Sequence, residues 1–74
     1  MSAAAMTVEA LMYSLRERGT KALTEPDTRR RISELSDEQA LEVGARLQRL
    51  KSEIARAWSV GEVERLLHLR EALR

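Results

Sequence analysis

Cysteine is absent from this 74-residue sequence, and so is phenylalanine. Without cysteine there is no disulfide and no thiolate metal site. A chain this short buries a limited share of its surface. Small domains without such staples rely on regular helix packing or on self-association. The missing cysteine also fits a reducing compartment, so the expected localisation is cytoplasmic. Tyr13 and Trp58 are the only large aromatics, which leaves the core to Leu, Val, Ile, Met and Ala. Residues that favour strands are scarce and helix formers dominate. Neither sign of charge prevails: charged residues make up 34%, yet the net charge is +1. That balance demands neither nucleic acid nor an anionic membrane. No apolar run approaches the ~20 residues of a membrane span. The N-terminal MSAAAM has no basic n-region, and Glu9 interrupts any apolar h-region, so no targeting segment is read. Residues 1–6 are expected to be a disordered lead, and residues 7–74 a single helical domain.

What is present reads as four helices, at about 7–23, 26–35, 37–57 and 60–73. Thr7 is a good N-cap. Val8, Leu11, Met12, Leu15, Gly19, Ala22 and Leu23 follow on one face at helical spacing. Gly19, preceded by Arg16 and Arg18, reads either as a C-cap or as a buried glycine admitting a neighbouring helix. The continuing stripe favours the second reading. Pro26 belongs to the first turn of the next helix. Thr24 and Asp27 have capping-box spacing there, and Ile32 and Leu35 are its apolar anchors.

The long helix carries the clearest signals. Ser36-x-x-Gln39 is a capping box, with Leu35 and Ala40 at the staple positions. Asp37 and Glu38 suit the positive end of the helix dipole. Ala40, Val43, Leu47, Leu50, Ile54 and Ala57 then alternate three and four apart, a heptad seam. Glu42 with Arg46, and Arg49 with Glu53, are spaced as intrahelical ion pairs. Ser59-x-x-Glu62 is a further capping box, with Trp58 and Val63 as its staple. Val60, Val63, Leu66, Leu67, Leu69 and Leu73 give the last helix a broad apolar face, with Arg70 in its middle. The expected fold is thus all-α, a small compact bundle of three to four helices around one long amphipathic helix. Leu11, Leu15, Gly19, Ile32, Val43, Leu47, Leu50, Ile54, Trp58, Val63 and Leu67 are its expected core.

Catalytic chemistry finds no footing in the sequence. His68 is the only histidine, and it falls on a polar face with Glu64, Arg65 and Glu71. One histidine with two mobile carboxylates lacks the ligand count of a metal site and the constellation of a catalytic one. No enzyme activity, metal or cofactor is expected. Arg29, Arg30 and Arg31 form the basic run, with Arg16, Arg18 and Lys21 before it. A short helix leading into a longer one resembles a helix-turn-helix. Glu34, Asp37, Glu38, Glu42 and Glu53, however, interleave acid along the same elements, where a phosphate-facing surface needs none. Arginine clusters also grip carboxylates at protein interfaces. Trp58 fits the staple better than an interface anchor, whereas Tyr13 points away from the apolar stripe as a surface or contact residue.

Four segments carry a family resemblance: Glu9-Ala-Leu-Met-Tyr-Ser-Leu-Arg, Arg29-Arg-Arg-Ile-Ser-Glu-Leu-Ser, Ala45-Arg-Leu-Gln-Arg-Leu-Lys and Ile54-Ala-Arg-Ala-Trp. They resemble small uncharacterised helical proteins of bacteria, alphaproteobacteria in particular, some associated with prophages or other mobile elements. The resemblance implies no activity and no site residues. It does imply that proline is acceptable at the position of Ser52, which would kink or end the long helix near Lys51.

The leading expectation is a non-enzymatic protein–protein interaction module, working as a homodimer. One concrete form is a phage- or element-encoded inhibitor or regulator of a host complex. Its candidate contact residues are Arg29, Arg30, Arg31, Leu66, Leu69, Arg70, Leu73 and Tyr13. The alternative is a small DNA- or RNA-binding regulator using Arg29, Arg30 and Arg31. No membrane partner is expected.

Overall fold

Two serines set the register of the bundle. In the first capping box the Ser36 hydroxyl accepts from the Gln39 N–H at 3.1 Å, and the Gln39 side chain accepts from the Ser36 N–H at 2.9 Å. In the second, Ser59 and Glu62 repeat the exchange at 3.2 and 2.9 Å. Arg56 then clamps the Glu62 carboxylate with two hydrogen bonds, at 2.8 and 2.6 Å. The four residues at the staple positions, Leu35, Ala40, Trp58 and Val63, are all buried in the core. Each cap satisfies helix-end donors that would otherwise lack an intrahelical partner.

The structure, a computed structural model, describes residues 3–53 and 55–74, with side chains from Thr7 onward. Helix α1 runs Ala3–Arg18 and leads into a 3-10 segment, Gly19–Thr24. Helix α2 is Pro26–Ser33, α3 is Asp37–Gln48 and α4 is Val60–Leu73. The protein is an all-α bundle. Its closely packed pairs form a ring: α1 meets α2 and α3, and α4 meets α2 and α3 from the other side. Leu11, Leu15, Ile32, Leu35, Val43, Leu47 and Leu66 fill the centre, fully enclosed.

Several expectations need correction. The lead is shorter than six residues, because helix begins at Ala3; its alanines are strong helix formers. Met1 and Ser2 of that lead lie outside the described residues, as does Ile54 of the seam. Thr7 therefore lies inside α1 rather than at its start. The first helix also stops at Arg18, where Gly19 takes φ +60°. That left-handed turn is cheap only for glycine, so Gly19 is the C-cap and not a core position. A Cβ built on it would meet nothing within 4 Å. The close approach expected at Gly19 occurs at Gly44, where a Cβ would lie 2.9 Å from the Val63 side chain. Gly44 thus sets the distance between α3 and α4.

The expected Thr24–Asp27 box does not form. Thr24 closes the 3-10 segment and donates to the Lys21 carbonyl at 2.8 Å. Glu25 occupies the N-cap position, extended at φ −85° and ψ 133°, as a residue before proline prefers. Arg18 pairs with it.

The largest correction concerns the long helix, which ends at Gln48 rather than near Ala57. The Leu47 carbonyl accepts from the Trp58 N–H at 2.9 Å, so the chain doubles back and buries Trp58 and Ala55 against the bundle. Burying one indole outweighs the helix propensity that Arg, Leu, Lys, Glu and Ala give this stretch. Ser52 supports the detour by accepting from the Ala55 N–H at 2.9 Å. A proline at position 52 would interrupt no helical hydrogen bond. With the helix cut short, Ala57 is exposed and Leu50 is half-buried. The intrahelical pairs fail as well. Arg49 donates to the Ala45 carbonyl, and Arg46 reaches across to Glu9 on α1 with bonds of 2.9 and 3.3 Å.

Candidate functional site: a basic cleft beside the last helix

The structure disperses the predicted contact residues. Leu66 is fully enclosed in the core. Arg70 is 4% exposed and equally structural. Its Nε donates to the Leu35 carbonyl at 2.9 Å, and its two other nitrogens reach Asp37 at 2.8 Å and Glu71 at 3.0 Å. This fork bolts the end of α4 to the α2–α3 turn, and it uses the residue's planar donor geometry. The Arg70 hydrogen bond, then its charge, holds the Asp37 carboxyl below its ordinary range, with Arg74 adding to it. Leu67, expected in the core, is half-buried beside it, as are Leu69 and Leu73.

The arginine run splits around α2. Arg30 is exposed and lies 3.5 Å from Asp27. Arg31 is half-buried and forms no ion pair among the described residues. Arg29 is half-buried and donates to the Leu23 carbonyl at 3.3 Å. That bond turns its guanidinium toward a cleft of about 410 Å³ between the 3-10 segment, α2 and α4. Leu23 and Leu69 supply the apolar surface, and Thr20 and Thr24 add hydroxyls. Lys21 and Arg65 complete the rim with Arg29.

The electrostatics of this cleft distinguish it from the rest of the surface. Three cations converge on it and no carboxylate lines it. Among the described residues none of the three forms an ion pair. Elsewhere Arg18, Arg30, Arg46, Arg56, Arg70 and Arg74 sit within 4 Å of an acid, while Arg16, Arg31, Arg49 and Lys51, also without an ion pair among the described residues, do not gather in one acid-free hollow. Of the predicted contact residues, the cleft gathers only Arg29 and Leu69. Lys21 and Arg65 escaped selection. Arg65 was accessible to sequence reasoning, since it precedes Leu69 by one helical turn on the same face. Lys21 was not, because its position depends on the 3-10 turn after Gly19.

Two other concavities hold Tyr13 and His68. Tyr13, 61% exposed, borders a hollow of about 180 Å³ with Glu9, Met12, Arg16, Arg46 and Leu50. There the Arg46 hydrogen bond, then its charge, lowers the Glu9 pKa. His68 borders a shallow hollow of about 310 Å³ between α3 and α4, with Leu41, Leu67 and Glu71. Among the described residues no group of three or more His, Cys, Asp or Glu is arranged to hold a metal ion. No helix there is long and apolar enough to cross a membrane. No protein-family model matches the chain, and no curated protein or solved structure matches it either.

Proposed function

We propose that this protein is a non-enzymatic interaction module that binds an acidic, amphipathic segment of a protein partner in the cleft between α2 and α4. The observation that carries the reading is the convergence of unpaired Lys21, Arg29 and Arg65 around Leu23 and Leu69. The two other hollows include carboxylates, whereas this one gathers three unpaired cations and no acid. Arginine over an apolar floor suits a helix that presents carboxylates beside leucines. The cysteine-free composition fits a cytoplasmic setting. The resemblance to mobile-element proteins suggests an inhibitor or regulator of a host complex as one form of the activity.

Nucleic acid is disfavoured, because Arg30 turns to Asp27 and the run does not present one continuous basic face. Titration calorimetry at low salt separates the two. A helical peptide of glutamate and leucine should bind saturably, while its lysine–leucine counterpart and a random-sequence DNA duplex should not. Binding of the duplex alone would replace this reading with the nucleic-acid one. Binding of neither anionic ligand would remove it.

A further inference from the structure

The molecule itself carries a segment of the chemistry this cleft fits. Glu38, Leu41, Glu42 and Ala45 stand three or four residues apart on α3 and are all exposed. They form one stripe of the helix surface. Leu41 is 69% exposed, the most open large apolar side chain among the described residues. Glu38 forms no ion pair among the described residues. Glu42 acts on Arg46 only through space, since Arg46 gives its hydrogen bonds to Glu9. The outer face of α3 is therefore an acidic helix with one leucine anchor, unpartnered within its own molecule.

We infer that the outer face of α3 docks into the Lys21–Arg29–Arg65 cleft of a second copy, so that the protein self-associates head to tail. Charge complementarity selects this occupant. Two unbonded carboxylates flank Leu41, and three unpaired cations surround the apolar surface of Leu23 and Leu69. The arrangement within the ring makes the contact intermolecular. The face is on α3 and the cleft lies between α2 and α4, so α4 separates them. A copy can use both surfaces at once, which makes the interface heterologous and the assembly able to extend. The contact is small and charge-rich, so the association is weak, fast and salt-sensitive. It also places a self-made competitor in the cleft, so a partner must displace it. The inference rests on the reading of the cleft as an acid-binding surface.

Complementing variants test it. Lys21→Ala/Arg65→Ala weakens the cleft and spares the face; Glu38→Gln/Glu42→Gln does the reverse, and neutral replacements create no new complementary pair. All four positions are exposed, so both variants keep the fold, and circular dichroism checks this. In analytical ultracentrifugation at low salt, the wild-type weight-average mass should rise with concentration and fall back to monomer when salt is added. Each variant alone should stay monomeric. An equimolar mixture should form a dimer and nothing larger, because only one intact face and one intact cleft remain. A wild type that stays monomeric to millimolar concentration would overturn the inference. So would association that survives either substitution, or a mixture that stays monomeric. A monomeric wild type that still binds the glutamate–leucine peptide defeats self-association alone. Failure of both defeats the cleft as an acid-binding surface too.

Discussion

Arg65 and Arg70 are less than two turns apart on α4, and the protein uses them in opposite ways. Arg70 is enclosed, forked between the Leu35 carbonyl, Asp37 and Glu71, and holds the helix to the α2–α3 turn. Arg65 is exposed and without an ion-pair partner among the described residues, beside Lys21 and Arg29, which also lack one. A buried guanidinium is tolerated only when its donors are satisfied. A surface guanidinium left free costs the fold nothing. The difference teaches that arginine here divides into joints and contacts, and that exposure with pairing, not sequence clustering, separates the two.

Removing a joint gives the largest expected effect. Arg70→Ala takes away the donor to the Leu35 carbonyl and the packing of its stem, which costs about 2–4 kcal/mol. The Asp37 end adds little, since that side chain is 88% exposed. For a domain whose total stability is on the order of 5–10 kcal/mol, urea denaturation will register the loss readily. Arg70→Lys should recover only part of it, because an ammonium cannot reproduce the fork. Full stability in Arg70→Ala would erase the distinction between the two arginines.

Gly44→Ala probes the same tightly joined side of α4. The new methyl meets Val63, a stiff β-branched side chain, so a loss of about 1–2 kcal/mol is expected. In a Val63→Ala background the clash disappears, and the better helix propensity of alanine, about 1 kcal/mol over glycine, should make the same change stabilising. A double-mutant cycle measures this reversal. Equal effects in both backgrounds would show that the α3–α4 distance is not set there.

Acid titration sharpens the contrast further. Arg56 and the Ser59 cap hold the Glu62 carboxyl at about 2, below its ordinary 4.5. Glu9 and Asp37 are lowered in the same direction by Arg46 and Arg70. The unfolded chain then binds protons that the folded one does not, so stability rises with pH across this window. The Glu62 contribution is fully present above 4.5 and is lost as pH falls toward 2. Glu62→Gln should flatten the slope of unfolding free energy against pH in that interval. Arg65→Ala should leave the slope as it is, because Arg65 has no carboxylate to depress. The smallest expected effect is on stability itself: Lys21→Ala and Arg65→Ala should each change it by no more than about 0.5 kcal/mol.

Much of the fold was legible because local chemistry fixed it. Ser36 with Gln39, and Ser59 with Glu62, announced two helix starts, and Leu35–Ala40 and Trp58–Val63 announced their staples. The end of α3 was hidden. Residues 49–57 have helical composition, and the burial of Trp58, with its N–H bonded to the Leu47 carbonyl, turns the chain away from that course. Gly19 and Gly44 exchanged roles for a related reason: a stripe in phase does not reveal where backbone turns or where helices touch. The cleft was legible by half. Arg29 stood out in its run and Leu69 in its apolar arc, while Lys21 and Arg65 acquired meaning only when three separate elements met. Arg70 and Leu66, chosen as contacts from the width of that arc, proved to be interior, because α4 packs on both α2 and α3.

The decisive property of the cleft is that Lys21 and Arg65 bind acid and contribute nothing to the fold. It is tested most directly by titrating the glutamate–leucine peptide into wild-type and Lys21→Ala/Arg65→Ala protein across a salt series. Both proteins should melt alike. The wild type should bind with affinity that falls as salt rises, and the variant should bind at least tenfold more weakly, a difference of about 1.4 kcal/mol or more. Equal affinity in the two proteins, or a variant that loses binding only because it has lost its fold, would contradict the account.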